Sequence, residues 1–420
     1  MLFVCLYAQD KTKTVLHDKL ENKKIVESVL DDEFGDDDII EFVQTKQVKQ
    51  EDFIINGSIS YTQSYNYAHS APLNNISNDF RGWSGSKIST NVNFEKNINK
   101  NYKIKSTLKV FKELIYDLKS DEYQTVPKGY DQDIYLNELY MQGGLNDKID
   151  IKVGRQIVVW GKSDNIRITD TLNPIDNTTP GMVDIKDLRL GTTMTKFDYF
   201  INSLTLSGII LHENRFSKLP KYGSDFANNN KIKAQSNSVS KPSNTLENSG
   251  IAFSLSGNFQ GQDLAIYYSN KYVDNTMYRS NMLGMAYNKV MNSFLLKSEI
   301  AYFDNYDDDT IGSRVDMLIG AEYNGISDGS ISLEVANKNN DAQYAIRFTQ
   351  SYINQILDFT VLYLGFGNKQ DGLIRTWIDY DYSDNISFNF GVIDYLYENI
   401  NVFKMVENND RLFGNMTYSF

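Results

Sequence analysis

The chain has 420 residues, a formal net charge of -12 and a hydrophobic fraction of 41 %. That acidic balance, with no basic stripe, argues against nucleic acid as a partner, and no run of 18 apolar residues exists to cross a membrane as a helix. A single cysteine and three histidines leave no disulfide framework, no thiol site and no His/Cys metal centre.

Aromatic residues make up 13 % of the chain, with 28 Tyr and 23 Phe against only 6 Pro. Tyr-rich, Pro-poor sequence with Asn, Ser and Asp in the gaps suits many β-strands joined by polar turns. The mean hydropathy of -0.43 fits a transmembrane barrel, in which a polar lumen face cancels the lipid face of every strand.

Residues 1–9 read as the remnant of a secretory signal whose basic start is missing. Cys5 follows Val4 rather than a small residue, which argues against lipid attachment. Residues 10–52 form an acidic periplasmic segment, helical or disordered; its stretch 26–43 holds eight acids. It reads as a solvated linker or as a docking peptide or partial plug, and it lacks the spaced ligand pattern of a calcium loop.

From Phe53 onward apolar and polar residues alternate. Phe53, Ile55, Gly57, Ile59 and Tyr61 alternate with Ile54, Asn56, Ser58, Ser60 and Thr62; Tyr102, Ile104, Leu108 and Val110 alternate with Lys103, Lys105, Thr107 and Lys109. A helix, with its period of 3.6, cannot present such a pattern on one face. Connections alternate as well: tight turns such as 98–100, 260–261 and 384–385 are interleaved with long stretches such as 66–84, 159–186, 214–247 and 399–409. Short periplasmic turns and long extracellular loops are the signature of an outer-membrane barrel. Eighteen strands are expected between 53 and 420, or sixteen if one hairpin is over-split. The fold class is therefore all-β, a transmembrane antiparallel barrel. A soluble β-helix or sandwich would bury its apolar faces between sheets and would not need Tyr65, Tyr67, Tyr268, Tyr302, Tyr323 and Tyr382 near strand ends, where interfacial girdles belong.

The segment VGRQIVVWGKSDNIRITDTLNPID, residues 153–176, resembles the diagnostic stretch of an uncharacterised, domain-of-unknown-function family of Gram-negative outer-membrane barrels. Its members are often encoded beside resistance-nodulation-division transporters that handle hydrophobic compounds. The resemblance implies envelope transport and a possible inner-membrane transporter partner, and it names no substrate. It covers roughly 40 residues; elsewhere only the strand pattern and the aromatic C-terminus agree.

Within that segment, loop 159–186 is too charged to meet lipid and too long for a simple turn, so it is expected to fold inward as a constriction. Trp160, Asn173 and Asp176 should then lie inside or at the lip of the barrel. Strict alternation puts Arg155 on the apolar face of its strand. A lipid-facing Arg at mid-membrane costs about 2–4 kcal/mol, so a bulge is expected to turn Arg155 and its neighbour Gln156 inward, with Arg155 paired to Asp170 or Asp176. The alternative is a structural motif that merely anchors the loop.

The other lumen candidates are Lys103, Lys105 and Lys109 on one strand and Arg347 and Arg375 in the second half. Glu299, Glu334 and other acids also fall on the polar face of the C-terminal half. This split reads equally as a transverse field across a pore or as internal salt bridging. No cofactor and no catalytic constellation is expected. The chain ends in an amphipathic strand with Leu412, Gly414, Met416, Tyr418 and Phe420 on one face, and Phe413 breaking the other. A terminal Phe420 resembles the signal read by the barrel-insertion machinery. The expected surroundings are outer-membrane lipid and lipopolysaccharide. The functional expectation is a passive channel for small, hydrophobic or amphipathic solutes, with a non-conducting scaffold or adhesin as the alternative.

Overall fold

The structure, a computed structural model, describes residues 53–69, 78–123, 126–227, 241–274, 276–304, 312–367, 371–398 and 406–420. The expected segments 1–9 and 10–52 lie outside the described residues. Eighteen antiparallel strands form one closed sheet. In chain order they are β1 (Phe53–Asn66), β2 (Gly82–Asn97), β3 (Tyr102–Glu113), β4 (Gln132–Asn146), β5 (Ile149–Gln156), β6 (Thr192–Ile201), β7 (Leu204–Leu211), β8 (Gly250–Phe259) and β9 (Gln262–Tyr272). The second half supplies β10 (Arg279–Met291), β11 (Phe294–Asp304), β12 (Arg314–Ile326), β13 (Gly329–Lys338), β14 (Asp341–Tyr352), β15 (Leu357–Phe366), β16 (Asp371–Ser383), β17 (Ile386–Leu396) and β18 (Arg411–Ser419). Two single-turn helices, α1 (Ile115–Leu118) and α2 (Ile185–Leu188), interrupt the long connections.

Each strand pairs with its sequence neighbours, and β1 pairs with β18 from Ser58↔Ser419 to Asn66↔Arg411. The terminal residue completes the closure: the Phe420 N–H donates to the Gly57 carbonyl at 3.0 Å, and the Gly57 N–H donates to the Phe420 carbonyl at 2.9 Å. Closure leaves no strand edge unpaired, the condition a sheet must meet in hydrocarbon.

Short turns and long connections segregate to opposite ends. Two-residue links such as 202–203, 292–293 and 327–328 place Asn202, Asn292 and Asp328 at positive φ, which Asn and Asp tolerate better than most residues. One link at the long-connection end is short: β13 and β14 are joined only by Asn339-Asn340.

The outer face is apolar and exposed, as at Phe253, Leu283, Ile300, Met317 and Leu333. Aromatics gather toward its two margins, with Tyr65, Trp83 and Tyr302 at the long-connection end and Tyr352, Tyr380 and Tyr382 at the other. The inner face divides into two arcs. From β8 to β14 it is lined by small residues, including Ala252, Ala265, Ala286, Ala301, Ala336 and Ala345, which are buried beneath side chains of the connection 157–191. Across the lumen, β1 to β6 present Ser60, Asn91, Glu95, Lys103, Lys105 and Lys152. One arc is built to carry a load of protein, and the other stays polar.

Candidate functional site

The connection 157–191 folds into the lumen. Trp160, Ile166, Ile168 and Leu172 are buried in one apolar cluster with the Ala-lined arc and with Met194, Ile209, Tyr267, Met282 and Leu318. The alanines make this fit possible, since larger inward side chains would occupy the space that the loop fills. Gly284 is part of the same fit: a Cβ there would stand 2.9 Å from the Thr169 methyl.

Burying a chain segment in a lumen raises the question of where its backbone N–H groups find acceptors. Two wall carboxylates answer it. Glu299 of β11 accepts the N–H groups of Lys162 (2.6 Å), Ser163 (2.8 Å) and Thr169 (3.0 Å), together with the Thr169 hydroxyl at 2.7 Å. Glu334 of β13 accepts the N–H groups of Asp164 (2.7 Å), Asn165 (3.0 Å) and Ile166 (3.1 Å). Both acids are almost fully buried. Charge-assisted bonds of this kind are the strong class, and they convert two costly buried charges into anchors. Gly161 permits the turn into this cradle. Its φ is +82°, and a Cβ would lie 2.8 Å from Glu299 Oε1.

Side chains reinforce the docking. Trp160 stacks on Tyr267 with ring centroids 4.8 Å apart, and the Gly161 N–H donates to the Tyr267 hydroxyl. Lys162 pairs with Asp263 at 3.2 Å, and Lys297 bridges Asp164 and Glu322. Asn173 holds the loop's two ends together: its side chain accepts from the Val158 N–H at 2.8 Å and donates to the carbonyls of Gln156 and Leu190. Gln156 points inward and is fully buried, its amide donating to the Met194 carbonyl at 3.0 Å. Asp170 is held between Arg167 (3.0 Å) and Arg189 (2.9 Å). Asp176 pairs with Lys218 of the next long connection at 3.3 Å.

Farther on, the loop reaches β14 and β16. Asp184 lies between Arg347 of β14 (2.9 Å) and Arg375 of β16, and Arg375 also donates to the Gly181 carbonyl. Burial alone would raise the Asp184 pKa, but the two guanidinium groups outweigh it and hold the carboxyl below the ordinary carboxylate range.

Arg155 departs from expectation. The pairings Leu139↔Arg155 and Arg155↔Thr193 continue β5 without a bulge. Arg155 therefore shares the outer face with exposed Leu139 and Val153. Its guanidinium forks onto Glu213 at 2.8 and 2.9 Å, and neither Asp170 nor Asp176 is its partner. The bulge lies one strand away, at Asn137 of β4, where the pairing shifts between Thr107 and Leu108. Arg155 also reaches the Leu136 carbonyl beside that bulge, at 3.4 Å. Arg155 is one residue from the end of β5, near the rim, where an outward Arg costs roughly 0–1 kcal/mol instead of the mid-membrane penalty. Burial works against the charge on Glu213, yet the Thr193 N–H and hydroxyl, then Arg155, hold its pKa low.

Lys103, Lys105 and Lys109 share the inner face of β3, facing Gln142, Tyr140 and Tyr135 of β4. Lys103 pairs with Glu95 at 3.0 Å. Lys109 feels the charges of Asp176 and Asp187 on the inward loop. Lys109 thus lies within electrostatic reach of the loop, whereas Arg347 and Arg375 are occupied in holding it.

A second inward piece packs against the wall at the long-connection end. Phe226 is buried with Leu373, Ile393, Tyr395 and Val406, and Phe413 packs against that cluster, which accounts for an apolar residue on the polar face of β18. Asp225 pairs with Arg411 at 2.5 Å and with His69 at 2.9 Å. Burial opposes its charge, but Arg411 and His69 keep its carboxyl below the usual range. Sequence reasoning places Glu299 and Glu334 on the lumen face without giving them a role, and it does not single out Asp184, Glu213, Asp225 or Tyr267. The available signal is the inward alanine and glycine series on β8 to β14, which marks a wall that must make room.

Among solved structures, the chain is similar to OccAB4 of Acinetobacter baumannii, with a TM-score of 0.55, 13 % identity, and coverage of 89 % of this chain and 99 % of that one. It is likewise similar to OccK2 (OpdF) of Pseudomonas aeruginosa, solved in complex with glucuronate, with a TM-score of 0.53, 9 % identity, and coverage of 88 % and 98 %. At such identities the likeness establishes the fold alone, that of outer-membrane porin barrels. No curated protein matches the chain. The family model that does match, over residues 43–405, is the one described as a protein of unknown function (DUF1302), and the chain belongs to that family.

Proposed function

We propose that the protein is a passive outer-membrane channel whose lumen is narrowed by the connection 157–191, and that small solutes pass between this loop and the polar arc of β1 to β6. The observation that carries the reading is the pair of wall carboxylates, Glu299 and Glu334, which together accept six backbone N–H groups of the loop. A loop needed only as an external contact surface would not require a buried carboxylate cradle on the lumen wall. The opposite arc keeps Lys103, Lys105, Lys109 and Lys152 turned to the lumen, where water can solvate a moving polar group.

The solutes we propose are small and amphipathic, because one wall of the passage is charged and the loop beside it has an apolar core. An inner-membrane transporter of hydrophobic compounds as functional partner rests on the resemblance of residues 153–176. Phe420, hydrogen-bonded at the barrel seam, is the element we propose is read during insertion. Planar-bilayer recording of the purified full chain tests the reading. A stable open current is expected. Silence in the native chain, and also in a variant lacking the Glu299 and Glu334 carboxylates, would favour a non-conducting scaffold or adhesin.

A further inference from the structure

The sheet closes around its whole girth, but not to one height. β5 and β7 are the shortest of its strands, 8 residues each, whereas β4 has 15 and β10 has 13. Eight residues at about 3.3 Å each, tilted by roughly 45°, rise about 19 Å, short of an apolar band of about 25 Å. Directly above these strands the chain leaves the ladder: the N–H groups of Ile157 and Asn214 are met by the side chains of Glu138 and Asn244. Irregular backbone is not found facing hydrocarbon.

The outward side chains repeat the pattern. Six residues up from the short-turn end, β3, β10, β11, β13 and β14 present exposed Leu108, Met285, Ile300, Val335 and Ile346. The same count lands on Arg155 in β5 (149 to 155) and on Thr195 in β6 (201 to 195). Arg155 pairs with Glu213, which also accepts the N–H and hydroxyl of outward Thr193. The Thr195 hydroxyl and His212 Nε2 are hydrogen-bonded at 2.8 Å. A polar patch therefore faces out at a depth where other parts of the girth meet hydrocarbon.

A wall shorter than the hydrocarbon is met by local thinning of the bilayer. We infer that the leaflet on the long-connection side dips at β5 to β7, so that polar lipid headgroups and their water lie against Arg155, Glu213, Thr193, Thr195 and His212. Arg155 and Glu213 neutralise each other, and exposed Val153, Phe197, Leu206 and Ile210 surround the patch, which suits mobile dipolar headgroups better than a fixed ion. The dip also explains how an outward Arg is tolerated only six residues from the short-turn end. The surface lies outside the lumen, so the inference stands or falls independently of conduction.

Two isoleucines test it. Ile210 of β7 (204 to 210) and Ile300 of β11 (294 to 300) both stand six residues above a two-residue turn that has Asn at positive φ, and their exposures are 40 % and 39 %. Nitroxide labels on Ile210→Cys and Ile300→Cys, each in the full chain with Cys5 replaced, are read in phosphatidylcholine vesicles by collision with oxygen and with a polar nickel chelate. A flat bilayer gives the two labels one depth. The dip predicts that the Ile210 label lies shallower by at least about 5 Å, the height missing from the wall. If Ile210→Cys does not insert, Phe253→Cys against Met285→Cys (259 to 253, 291 to 285) makes the same comparison on β8 and β10. Equal depths would overturn the inference. Protection of the Ile210 label from both reagents would overturn it too, because a protein partner would then cover the patch.

Discussion

Glu299 and Glu334 stand two strands apart on the lumen wall and divide one loop turn between them, Glu299 taking the N–H groups of Lys162, Ser163 and Thr169 and Glu334 those of Asp164, Asn165 and Ile166. Between them, on β12, Gly320 leaves a gap: a Cβ there would come 3.2 Å from Glu334 Cγ. Geometry of this kind fixes the depth at which the loop crosses the lumen.

Removing the two acceptors should release the loop without opening the barrel. Leaving a buried N–H unsatisfied costs about 1–3 kcal/mol, so Glu299→Ala with Glu334→Ala should shift the loop toward a detached state. We expect a larger and noisier single-channel current and faster proteolysis within 157–191. Unchanged current with a protected loop would show that the two carboxylates do not hold it.

Gly161→Ala should act on the same cradle by sterics. The residue sits at φ +82°, and an added Cβ would meet the two Glu299 carboxylate oxygens at 2.8 and 2.9 Å. A non-glycine residue at positive φ costs roughly 1–2 kcal/mol, before any clash is relieved. The expected outcome is faster amide exchange at Lys162, Ser163 and Thr169, with the barrel strands still protected.

Much of this architecture is legible in the chain, and the reasons differ by element. Strand spans follow from period-2 patterning, so the tight turn read at 260–261 falls between β8 and β9. Where lipid and lumen impose opposite chemistry on alternate residues, register leaves a clear trace. Arg155 defeats that reading because local alternation cannot tell depth: the residue stays outward and is made tolerable by its rim position and by Glu213, 58 residues away. The roles of Glu299 and Glu334 are hidden for a related reason. A wall carboxylate that faces water and one that anchors a distant loop look alike within their own strands, and only the inward Ala301 and Ala336 beside them hint at a covered surface.

Arg155→Ala should therefore leave ion selectivity unchanged and reduce stability. Breaking a half-buried pair leaves Glu213 with only its Thr193 donors, at a cost of roughly 1–3 kcal/mol. A lower thermal midpoint with an unaltered reversal potential is expected. A changed reversal potential would return Arg155 to the pore.

Acid should release the far end of the loop only at low pH. The Asp184 carboxyl is held below its ordinary value of 3.8, so its contribution is present above that value. It is lost as pH falls through the still lower folded-state pKa. Between pH 7 and 5 the latch to Arg347 and Arg375 should be constant, and current steps should grow only below about pH 4. Asp184→Asn should show the enlarged steps already at pH 7, and a native current that changes between pH 7 and 5 would assign the gating to other groups.

The central claim is that the loop and the β3 lysines face each other across the conducting path, and Asp187 tests it most directly. It is exposed on the inward loop and lies within electrostatic reach of Lys109. In a chain with Cys5 replaced, Asp187→Cys should react with a bulky thiol-specific reagent and the single-channel current should fall, a cationic and an anionic reagent shifting ion selectivity in opposite directions. Complete labelling with no change in current would contradict the account.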